Sequence, residues 1–285
     1  MLPPDNRISS LREQFNHRLR EAEYGTEELT PLFRMIIREI TGKSAAIQLA
    51  ERDARLSESE MMRFLAILEE LEAHHPIQYI LGHTEFMGMD LLCDQRALIP
   101  RPETEELAQW VMDEAGTGCT ILDIGTGTGA LALALSFIPE STIHAMDLSP
   151  DALALAKENA RRIASPVQLH EDDLFQIESD YPIFDIIVCN PPYIPASESS
   201  SMDRRVKDKE PGMALFVPED DPLLFHKGII EFSKEHLRAG GSIYIEGHKD
   251  FGPATVELFR SAGFKNVELR QDLDGHDRFI KAVRM

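Results

Sequence analysis

Apolar side chains in the first 81 residues recur three and four positions apart, the spacing that places them on one face of a helix. Leu11, Phe15 and Leu19 share such a face. The pattern predicts helices that begin at Ser9 or Ser10, begin at Thr26 and end at Gly42, cover residues 45–54, and cover Met61–Ala73 after a cap at Ser57 or Ser59. We predict an all-helical domain over residues 1–81 that serves stability or substrate docking, because no cluster of titratable residues stands out in it.

The pattern changes character between residues 82 and 103. Thr84–Cys93 predicts two short strands around a turn, and we interpret 82–103 as a hairpin that links two domains. Pro102 or Thr104 then begins a helix. The Pro-Arg-Pro turn before this helix, with the carboxylates that follow it, is compatible with a simple helix cap and equally with the border of an active site.

From Cys119 onward, short apolar runs alternate with helical patterns, which is typical of a parallel sheet with helices on both faces. The pattern predicts strands at Ile121–Ile124, Thr142–Met146, Val167–Leu169, Ile186–Val188, Ser242–Ile245, Val267–Arg270 and Arg278–Val283, the last two forming an antiparallel edge. Ligands of such sheets bind beyond the carboxyl ends of the strands. We therefore predict an α/β domain over residues 104–285, with residues 196–222 as a long active-site loop.

Composition narrows the function. A formal net charge of -20 argues against broad electrostatic capture of nucleic acid, which depends on Lys and Arg. Cys93, Cys119 and Cys189 lack the spacing of a metal site or a disulfide framework, so we expect buried thiols in a reducing compartment and no metal. No run approaches 18 apolar residues and the N-terminus lacks a signal-peptide pattern, so we expect no membrane span and a cytoplasmic protein.

The stretch Asn190-Pro191-Pro192-Tyr193 follows the predicted strand Ile186–Val188 directly. Each proline fixes its own φ and removes a backbone donor, which leaves carbonyl oxygens free to accept hydrogen bonds. A planar NH2 group needs two such acceptors, from Asn190 and the Pro191 backbone, and an aromatic face such as Tyr193 to hold it flat. The alternative is an ordinary turn at a strand end, where Asn and Pro are common.

A glycine loop, Gly125-Thr126-Gly127-Thr128-Gly129, follows another predicted strand and opens a helix. Its spacing differs from that of dinucleotide-binding loops, and Asp123 before it could hold the ammonium of an amino-acid tail on a nucleoside. Asp147, followed by Leu148, ends the next strand, where a carboxylate accepts both ribose hydroxyls. Asp173 and Leu174 end the third, where they could contact an adenine amino group and ring. S-adenosylmethionine meets all three demands, although Asp147 and Asp173 could each be a helix cap or a solvated loop residue.

The two sites together indicate transfer of a methyl group to an amide or exocyclic amine nitrogen. Such a nitrogen is a poor nucleophile because its lone pair is delocalised. Acceptors at Asn190 and Pro191 would favour its rehybridisation, and alignment with the methyl group would supply much of the rate. The proton can leave after transfer, so this chemistry requires no metal and no strong base.

Over essentially its whole length the chain resembles the protein-(glutamine-N5) methyltransferases that modify peptide chain release factors, the PrmC/HemK family. The resemblance is carried by the segments Pro76–Gly82, Leu98–Glu105, the glycine loop and Asn190–Tyr193. Asn-Pro-Pro-Tyr is shared with DNA adenine and some RNA guanine methyltransferases, whereas Ile-Pro-Arg-Pro-Glu-Thr-Glu is far more specific to this family. The resemblance implies a Rossmann-like, seven-stranded methyltransferase domain that follows a helical domain and a β-hairpin.

The resemblance also implies a substrate, a cofactor and a site. The substrate would be the glutamine of the Gly-Gly-Gln loop of class 1 release factors, and the product of the donor would be S-adenosylhomocysteine. The glutamine would bind at Asn190–Tyr193 with Arg101 and Glu103 nearby, and Asn190 would also touch the cofactor. The chain departs from the family at Leu174, where an aromatic residue is common, and at Pro218–Pro222, where the usual Gly-Asp-Gly-Leu-like segment is replaced.

Two other functions compete with this one. A DNA adenine or ribosomal RNA amino methyltransferase would share the Asn-Pro-Pro-Tyr stretch, and the basic residues Arg204, Arg205, Lys207 and Lys209 could touch RNA. The acidity of the chain argues against this alternative, and we expect no direct nucleic-acid binding and a monomer. A catalytically silent cofactor-binding scaffold is the other, and the presence of both Asn190 and Tyr193 argues against it.

Overall fold

The computed structural model of the chain describes residues 5–44, 47 and 54–285. These residues fall into two compact units. The helical unit extends to Gly82 and also contains Arg204–Lys209 from much later in the chain. The methyltransferase-like unit comprises His83–Asp203 and Glu210–Met285, so the hairpin lies in this second unit.

The described helices and strands are numbered here in chain order. The helices are α1 (Ile8–Glu21), α2 (Thr26–Thr41), α3 (Glu58–Glu72), α4 (Ile77–Leu81), α5 (Pro102–Glu114), α6 (Ala130–Leu135), α7 (Pro150–Arg162), α8 (Arg204–Lys207), α9 (Leu224–His236) and α10 (Gly252–Ser261). The strands are β1 (His83–Phe86), β2 (Met89–Leu92), β3 (Thr120–Ile124), β4 (Thr142–Asp147), β5 (Gln168–Glu171), β6 (Phe184–Cys189), β7 (Ile194–Pro195), β8 (Phe216–Val217), β9 (Leu237–Glu246), β10 (Lys265–Gln271) and β11 (Asp277–Val283). Short 3-10 helices occupy Ala196–Ser201 and Gly212–Ala214.

The helical unit is built on an apolar core to which α1, α2 and α3 each contribute one face. Phe15, Phe33 and Phe64 meet at its centre, with the rings of Phe15 and Phe33 5.4 Å apart in an edge-on arrangement. Hydrophobic burial of this kind stabilises helices that are too short to be stable alone. The periodic pattern of the sequence is therefore enough to explain this core.

The ends of these helices test the predicted caps. Ser57 does cap α3, since its Oγ accepts from the backbone N–H of Glu60 and the Glu60 carboxylate accepts from the Ser57 N–H at 2.7 Å. The predicted cap of α1 at Ser9 or Ser10 is wrong, because α1 begins at Ile8 after Arg7. Ile8 is buried in the core, and the helix therefore begins one residue before Ser9. The helix predicted over 45–54 lies almost entirely outside the described residues.

The methyltransferase-like unit contains a seven-stranded sheet in the order β10-β11-β9-β6-β3-β4-β5. Strands β9, β6, β3, β4 and β5 are parallel, and β11 pairs antiparallel with β9 and β10, which confirms the predicted antiparallel edge. The two largest clusters of apolar residues lie around α5, α6 and β3 in one case and around β6, α9 and β9 in the other.

Strand β3 is the point where the order of the parallel strands reverses. The chain proceeds from β3 to β4 and β5 on one side, and returns to place β6 on the other side. Open α/β sheets bind their ligands beyond the carboxyl ends of the strands at such a point. The loops after β3, β4 and β6 therefore meet where a ligand is expected.

The hairpin β1–β2 is tied to this edge by Asn159 of α7, which is fully buried. Its Oδ1 accepts from the Leu92 N–H at 2.7 Å, and its Nδ2 donates to the carbonyls of Leu92 at 3.0 Å and Thr128 at 2.9 Å. One side chain thus joins the hairpin, α7 and the loop after β3. No helix in the described part of the chain is long and apolar enough to span a membrane.

Candidate active site

The loop Gly125–Gly129 leaves β3 and enters α6 through backbone conformations that favour glycine. Gly125, Gly127 and Gly129 have φ of 70°, 55° and 84°. At Gly129 a Cβ would also lie 3.2 Å from the Cβ of Ala156, so a side chain there would push α7 away. The glycines thus allow a tight turn at the switch point of the sheet.

Asp123 holds this loop in place through hydrogen bonds from its buried side chain. It is 1% exposed, and its Oδ2 accepts from Thr126 Oγ1 at 2.7 Å and from the Ala132 N–H at 3.2 Å. Burial raises the pKa of its carboxyl to about 7, more than the hydrogen bonds lower it. Asp123 also lines a small cavity of about 60 Å³ together with Thr126 and Thr128. The predicted role toward an ammonium group stays a prediction, and the loop-building role is what the contacts show.

Asp147 ends β4 opposite the glycine loop. Its Oδ2 accepts from the Gly127 N–H at 2.8 Å and its Oδ1 from the Ser149 N–H at 2.9 Å. Burial raises the pKa of this carboxyl as well. Asp147 and Leu148 line the larger of the two adjoining cavities, of about 250 Å³, which Gly125 and Gly127 also border.

Asp173 and Leu174 line the same larger cavity, but they do not end the strand as predicted. The strand predicted over Val167–Leu169 is β5, which ends at Glu171, and both residues lie beyond it. Asp172 stabilises a turn directly after β5. Its buried carboxylate accepts from the backbone N–H groups of Asp173, Glu178 and Ser179 at 3.0 Å each. The following residue, Phe175, was missed by the sequence reasoning. Its ring lines the cavity and stands 5.4 Å from the ring of Phe225.

Gly228 in α9 leaves space for the side chains of Leu174 and Phe175. A Cβ at Gly228 would lie 2.7 Å from Phe175 Cε1 and 3.1 Å from Leu174 Cδ2. The aromatic residue that is absent at position 174 is thus present at the next position, and both side chains face the cavity. Adjacency to Leu174 was the signal in the sequence that could have identified Phe175.

Asn190, Pro191 and Pro192 follow β6 and complete the larger cavity. Asn190 lines the small cavity too, so it stands at the boundary between them. Tyr193 lines neither cavity. Its hydroxyl donates to Glu246 Oε1 at 3.0 Å, and burial, together with the charge of Glu246, raises the pKa of the phenol.

Thr104 and Glu246 connect these residues, and sequence reasoning assigned neither to the site. Asn190 Nδ2 donates to Thr104 Oγ1 at 2.9 Å, and Thr104 Oγ1 donates to Glu246 Oε2 at 2.7 Å. Glu246 is 1% exposed at the carboxyl end of β9, and burial raises its pKa. Its position, a carboxylate at the end of a buried parallel strand, was a usable signal.

Arg101 and Glu103 differ in their placement. Arg101 lines the small cavity, and its Nη2 donates to Glu210 Oε1 at 2.7 Å. Glu210 also accepts from the Ile99 N–H at 3.1 Å, so it anchors the segment before α5. Glu103 lines neither cavity. Substrate contacts of both residues stay predictions.

The larger cavity suits a nucleoside that carries an amino-acid tail. Leu174 and Phe175 form an apolar wall for a ring, Asp147 offers acceptors for hydroxyls, and the glycine loop leads from it to the buried Asp123. The described residues contain no cluster of His, Cys, Asp and Glu arranged to hold a metal ion. This sheet and this site define an S-adenosylmethionine-dependent methyltransferase.

Comparisons with known proteins agree with this class and refine it. A family model described as "PrmC N-terminal domain" matches residues 10–82, and one described as "Methyltransferase small domain" matches residues 104–205. The release factor glutamine methyltransferase of Flavobacterium psychrophilum is 35% identical over 280 residues, which cover 96% of this chain and 98% of that protein. The one from Streptococcus pneumoniae is 42% identical over 218 residues, covering 75% of this chain and 77% of that protein.

Among solved structures, a methyltransferase from Pyrococcus furiosus aligns with a TM-score of 0.52 at 16% identity, covering 80% of this chain and 99% of that one. This likeness supports the fold alone. The long matches to relatives decide the family: the chain belongs to the release factor glutamine methyltransferases. The predicted family, fold class and cofactor are confirmed.

Proposed function

We propose that this protein transfers a methyl group from S-adenosylmethionine to the side-chain amide nitrogen (N5) of the glutamine in the Gly-Gly-Gln loop of class 1 peptide chain release factors. Membership of the family supports the reaction and the substrate. The observation that carries the proposal to the atomic level is the position of Asn190, which borders both cavities directly beside the glycine loop.

Bound S-adenosylmethionine supplies an electrophilic methyl group on a sulfonium sulfur. The residues of this chain have to make the amide nitrogen a better nucleophile and align it. Asn190 Oδ1 and the Pro191 carbonyl are acceptors for the two N–H groups of the glutamine, and accepting both draws the nitrogen lone pair out of conjugation. Pro191 and Pro192 stiffen the loop, so that the alignment is held before the substrate arrives.

Transfer would join the methyl carbon to the amide nitrogen and leave S-adenosylhomocysteine, and one N–H proton would pass from the nitrogen to water. The Tyr193 hydroxyl donates to Glu246, and the Tyr193 ring lies edge-on to that of His248, with the ring centres 6.2 Å apart. We assign Tyr193 to shaping the substrate side of the loop. Arg101 and Glu103 would contact the residues that flank the glutamine.

The nucleic-acid alternative is not favoured. Of the basic residues that could have touched RNA, Arg205 pairs with Glu28 and lies 4.6 Å from the centre of the Tyr24 ring, and Lys209 Nζ lies 2.9 Å from His75 Nε2. These contacts lie within the helical unit, so the charged groups of Arg205 and Lys209 are already engaged there. We propose that the protein acts in the cytoplasm, where release factors work, as a monomer and without direct nucleic-acid binding.

Transfer of labelled methyl groups tests the proposal. The protein is incubated with labelled S-adenosylmethionine and, in separate reactions, a class 1 release factor, the same factor with Gln→Ala in its Gly-Gly-Gln loop, duplex DNA or ribosomal RNA. We expect label on the unaltered factor alone. Label on nucleic acid, or equal label on the Gln→Ala factor, would overturn the proposed function.

A further inference from the structure

A directed chain of hydrogen bonds lies behind Asn190. Asn190 Nδ2 donates to Thr104 Oγ1 at 2.9 Å, Thr104 donates to Glu246 Oε2 at 2.7 Å, and Tyr193 donates to Glu246 Oε1 at 3.0 Å. The chain joins α5, the loop after β6 and the end of β9, and all of its members lie in the methyltransferase unit. Both oxygens of Glu246 are therefore used, each by a different hydroxyl.

The direction of this chain follows from the chemistry of its last member. An ionised carboxylate accepts hydrogen bonds and donates none, so Thr104 has to donate its single O–H to Glu246. The Thr104 oxygen is then left as an acceptor, and the group it faces on Asn190 has to be the NH2. Reversing the Asn190 carboxamide would place two acceptor oxygens against each other.

The consequence appears on the other side of Asn190. One N–H of the Asn190 NH2 group is donated to Thr104, which fixes Oδ1 on the opposite side of the carboxamide, and no other residue in the described ranges donates to that oxygen. Asn190 borders both cavities, so the polarity of its free end decides which chemical group it selects there. A free acceptor selects an N–H donor and disfavours a carboxylate oxygen.

Burial raises the pKa of Glu246, and two hydrogen bonds and one positive charge act against that rise. Burial acts against the charge, whereas the hydrogen bonds from Thr104 and Tyr193 and the positive charge of Arg278 act in its favour. Arg278 is itself fixed beside the end of β9, donating to the Gly247 carbonyl at 3.2 Å and to Asp272 Oδ2 at 3.1 Å. Glu103 is a further carboxylate that acts on Glu246, with the opposite sign.

We propose that Thr104 and Glu246 are positioning residues that fix the direction of the Asn190 carboxamide, so that the site accepts the carboxamide of glutamine and rejects the carboxylate of glutamate. The inference rests on the proposed function and assigns its amide selectivity to two residues that act through Asn190. A purely structural role would hold the loop in place without setting this preference.

Thr104→Val provides the sharpest test, because it keeps the shape of the side chain and removes the acceptor for Asn190 Nδ2. Thr104→Ser is the matched control, since it restores the hydroxyl. For each variant, we would measure the dissociation constants of a release factor and of its Gln→Glu form in the presence of S-adenosylhomocysteine, and kcat with the unaltered factor. The affinity for S-adenosylhomocysteine and the melting temperature report whether each variant is folded.

We expect the wild type to prefer the glutamine form by about 100-fold or more, as sites built around a substrate N–H do. Thr104→Val should reduce this preference to about 10-fold or less and lower kcat by about 10- to 100-fold, since an unrestrained carboxamide samples both directions. Thr104→Ser should stay within about threefold of wild type. Weaker binding of both factor forms in the same proportion by Thr104→Val would show a structural role and overturn the inference.

Glu246→Leu tests the second member. It removes the acceptor that fixes the Thr104 hydroxyl, so we expect the same loss of preference as in Thr104→Val, and no further loss in the double variant, because both act through one chain. Additive losses would overturn the role of Glu246. A wild-type protein that transfers no methyl group would overturn the proposed function and the inference with it, whereas normal wild-type transfer with an unchanged preference in Thr104→Val would overturn the inference alone.

Discussion

The helical unit and the methyltransferase unit differ in what they bury. Within the described residues of the helical unit, the buried side chains carry no charge, whereas the methyltransferase unit buries the carboxylates Asp123, Asp172, Glu210, Glu246 and Asp272. Removing a carboxylate from water costs several kcal/mol unless hydrogen bonds and charges compensate for it. Each of these carboxylates accepts at least two hydrogen bonds.

The position of these carboxylates explains the difference. Asp123 and Glu246 lie near the ends of β3 and β9, Asp172 follows β5, and Asp272 precedes β11, which runs antiparallel to β9 and so begins at the same edge. Buried charge is thus concentrated where the sheet binds its ligands. The helical unit depends mainly on apolar packing, while the methyltransferase unit keeps polar groups that order its loops at a cost in stability.

The largest effect that we expect separates the two units by their unfolding. Phe64→Ala removes a fully buried ring from the helical core and should destabilise that unit by about 3 to 5 kcal/mol. The single tryptophan, Trp110, lies in the methyltransferase unit, so its fluorescence reports that unit while circular dichroism reports both. We expect denaturation followed by circular dichroism to shift to lower denaturant, with the Trp110 transition nearly unchanged.

Met62→Ala is the matched control for this experiment, because it shortens a side chain of the same helix that is 57% exposed. It should change the free energy of unfolding by about 0.5 kcal/mol or less. If Phe64→Ala shifted both signals together, the two units would unfold as one, and the contrast drawn from their cores would not extend to their stability.

The second effect concerns catalysis at the boundary of the two cavities. Asn190→Ala removes the side-chain acceptor proposed for the glutamine nitrogen and should lower kcat by about 100- to 1,000-fold, as the loss of one placed polar group does elsewhere. The affinity for S-adenosylhomocysteine, measured by calorimetry, should change far less. Unchanged turnover would contradict the role of Asn190.

The third effect concerns the binding of the donor. Asp147→Ala removes two acceptor oxygens at the end of β4 and should weaken S-adenosylmethionine binding by about 10- to 100-fold, the range for hydrogen bonds to a charged group. Asp151→Ala, in the exposed first turn of α7, changes the net charge equally and serves as the control. Equal affinities of the Asp147 variant and the wild type in calorimetry would contradict the assignment.

Much of the fold, and the part of the site that lies at the ends of the parallel strands, can be predicted from local sequence. The glycine loop, Asp147 and Asn190 each follow a short apolar strand, and parallel strands bring their carboxyl ends to one edge whatever their exact order. Asp173 was predicted to end the third strand, but Asp172 forms a turn after β5 and Asp173 lies in that turn. Phe175 was missed because the turn after β5, which the local pattern does not predict, decides which side chains face the cavity.

The hydrogen-bond chain behind Asn190 could not be predicted in this way. Thr104 lies 86 residues from Asn190 and 142 residues from Glu246, so their contacts depend on how α5 packs against β9. Nothing in the local pattern around Thr104 distinguishes it from a helix-starting threonine. Positions within an element follow from periodicity, whereas contacts between distant elements require the assembled sheet.

The smallest effect that we expect concerns the titration of Asp123. Burial raises the pKa of this carboxyl to about 7 in the folded protein, while the unfolded chain loses the proton near its ordinary value of about 4. Between these values the folded state holds a proton that the unfolded state lacks, so the free energy of unfolding falls as the pH rises through this window. Asp123→Asn removes the titration and keeps an oxygen for Thr126 and Ala132.

We therefore expect the free energy of unfolding to fall less steeply between pH 5 and 7 in Asp123→Asn than in the wild type, by at most about 1.4 kcal/mol per pH unit. Urea denaturation at several pH values measures the two slopes, and the other titrating groups cancel in their difference. Saturating S-adenosylhomocysteine sharpens the test, since an ammonium group beside Asp123 would lower its pKa and bring the slopes together. Parallel slopes without ligand would show that Asp123 is ionised throughout this pH range in the folded protein.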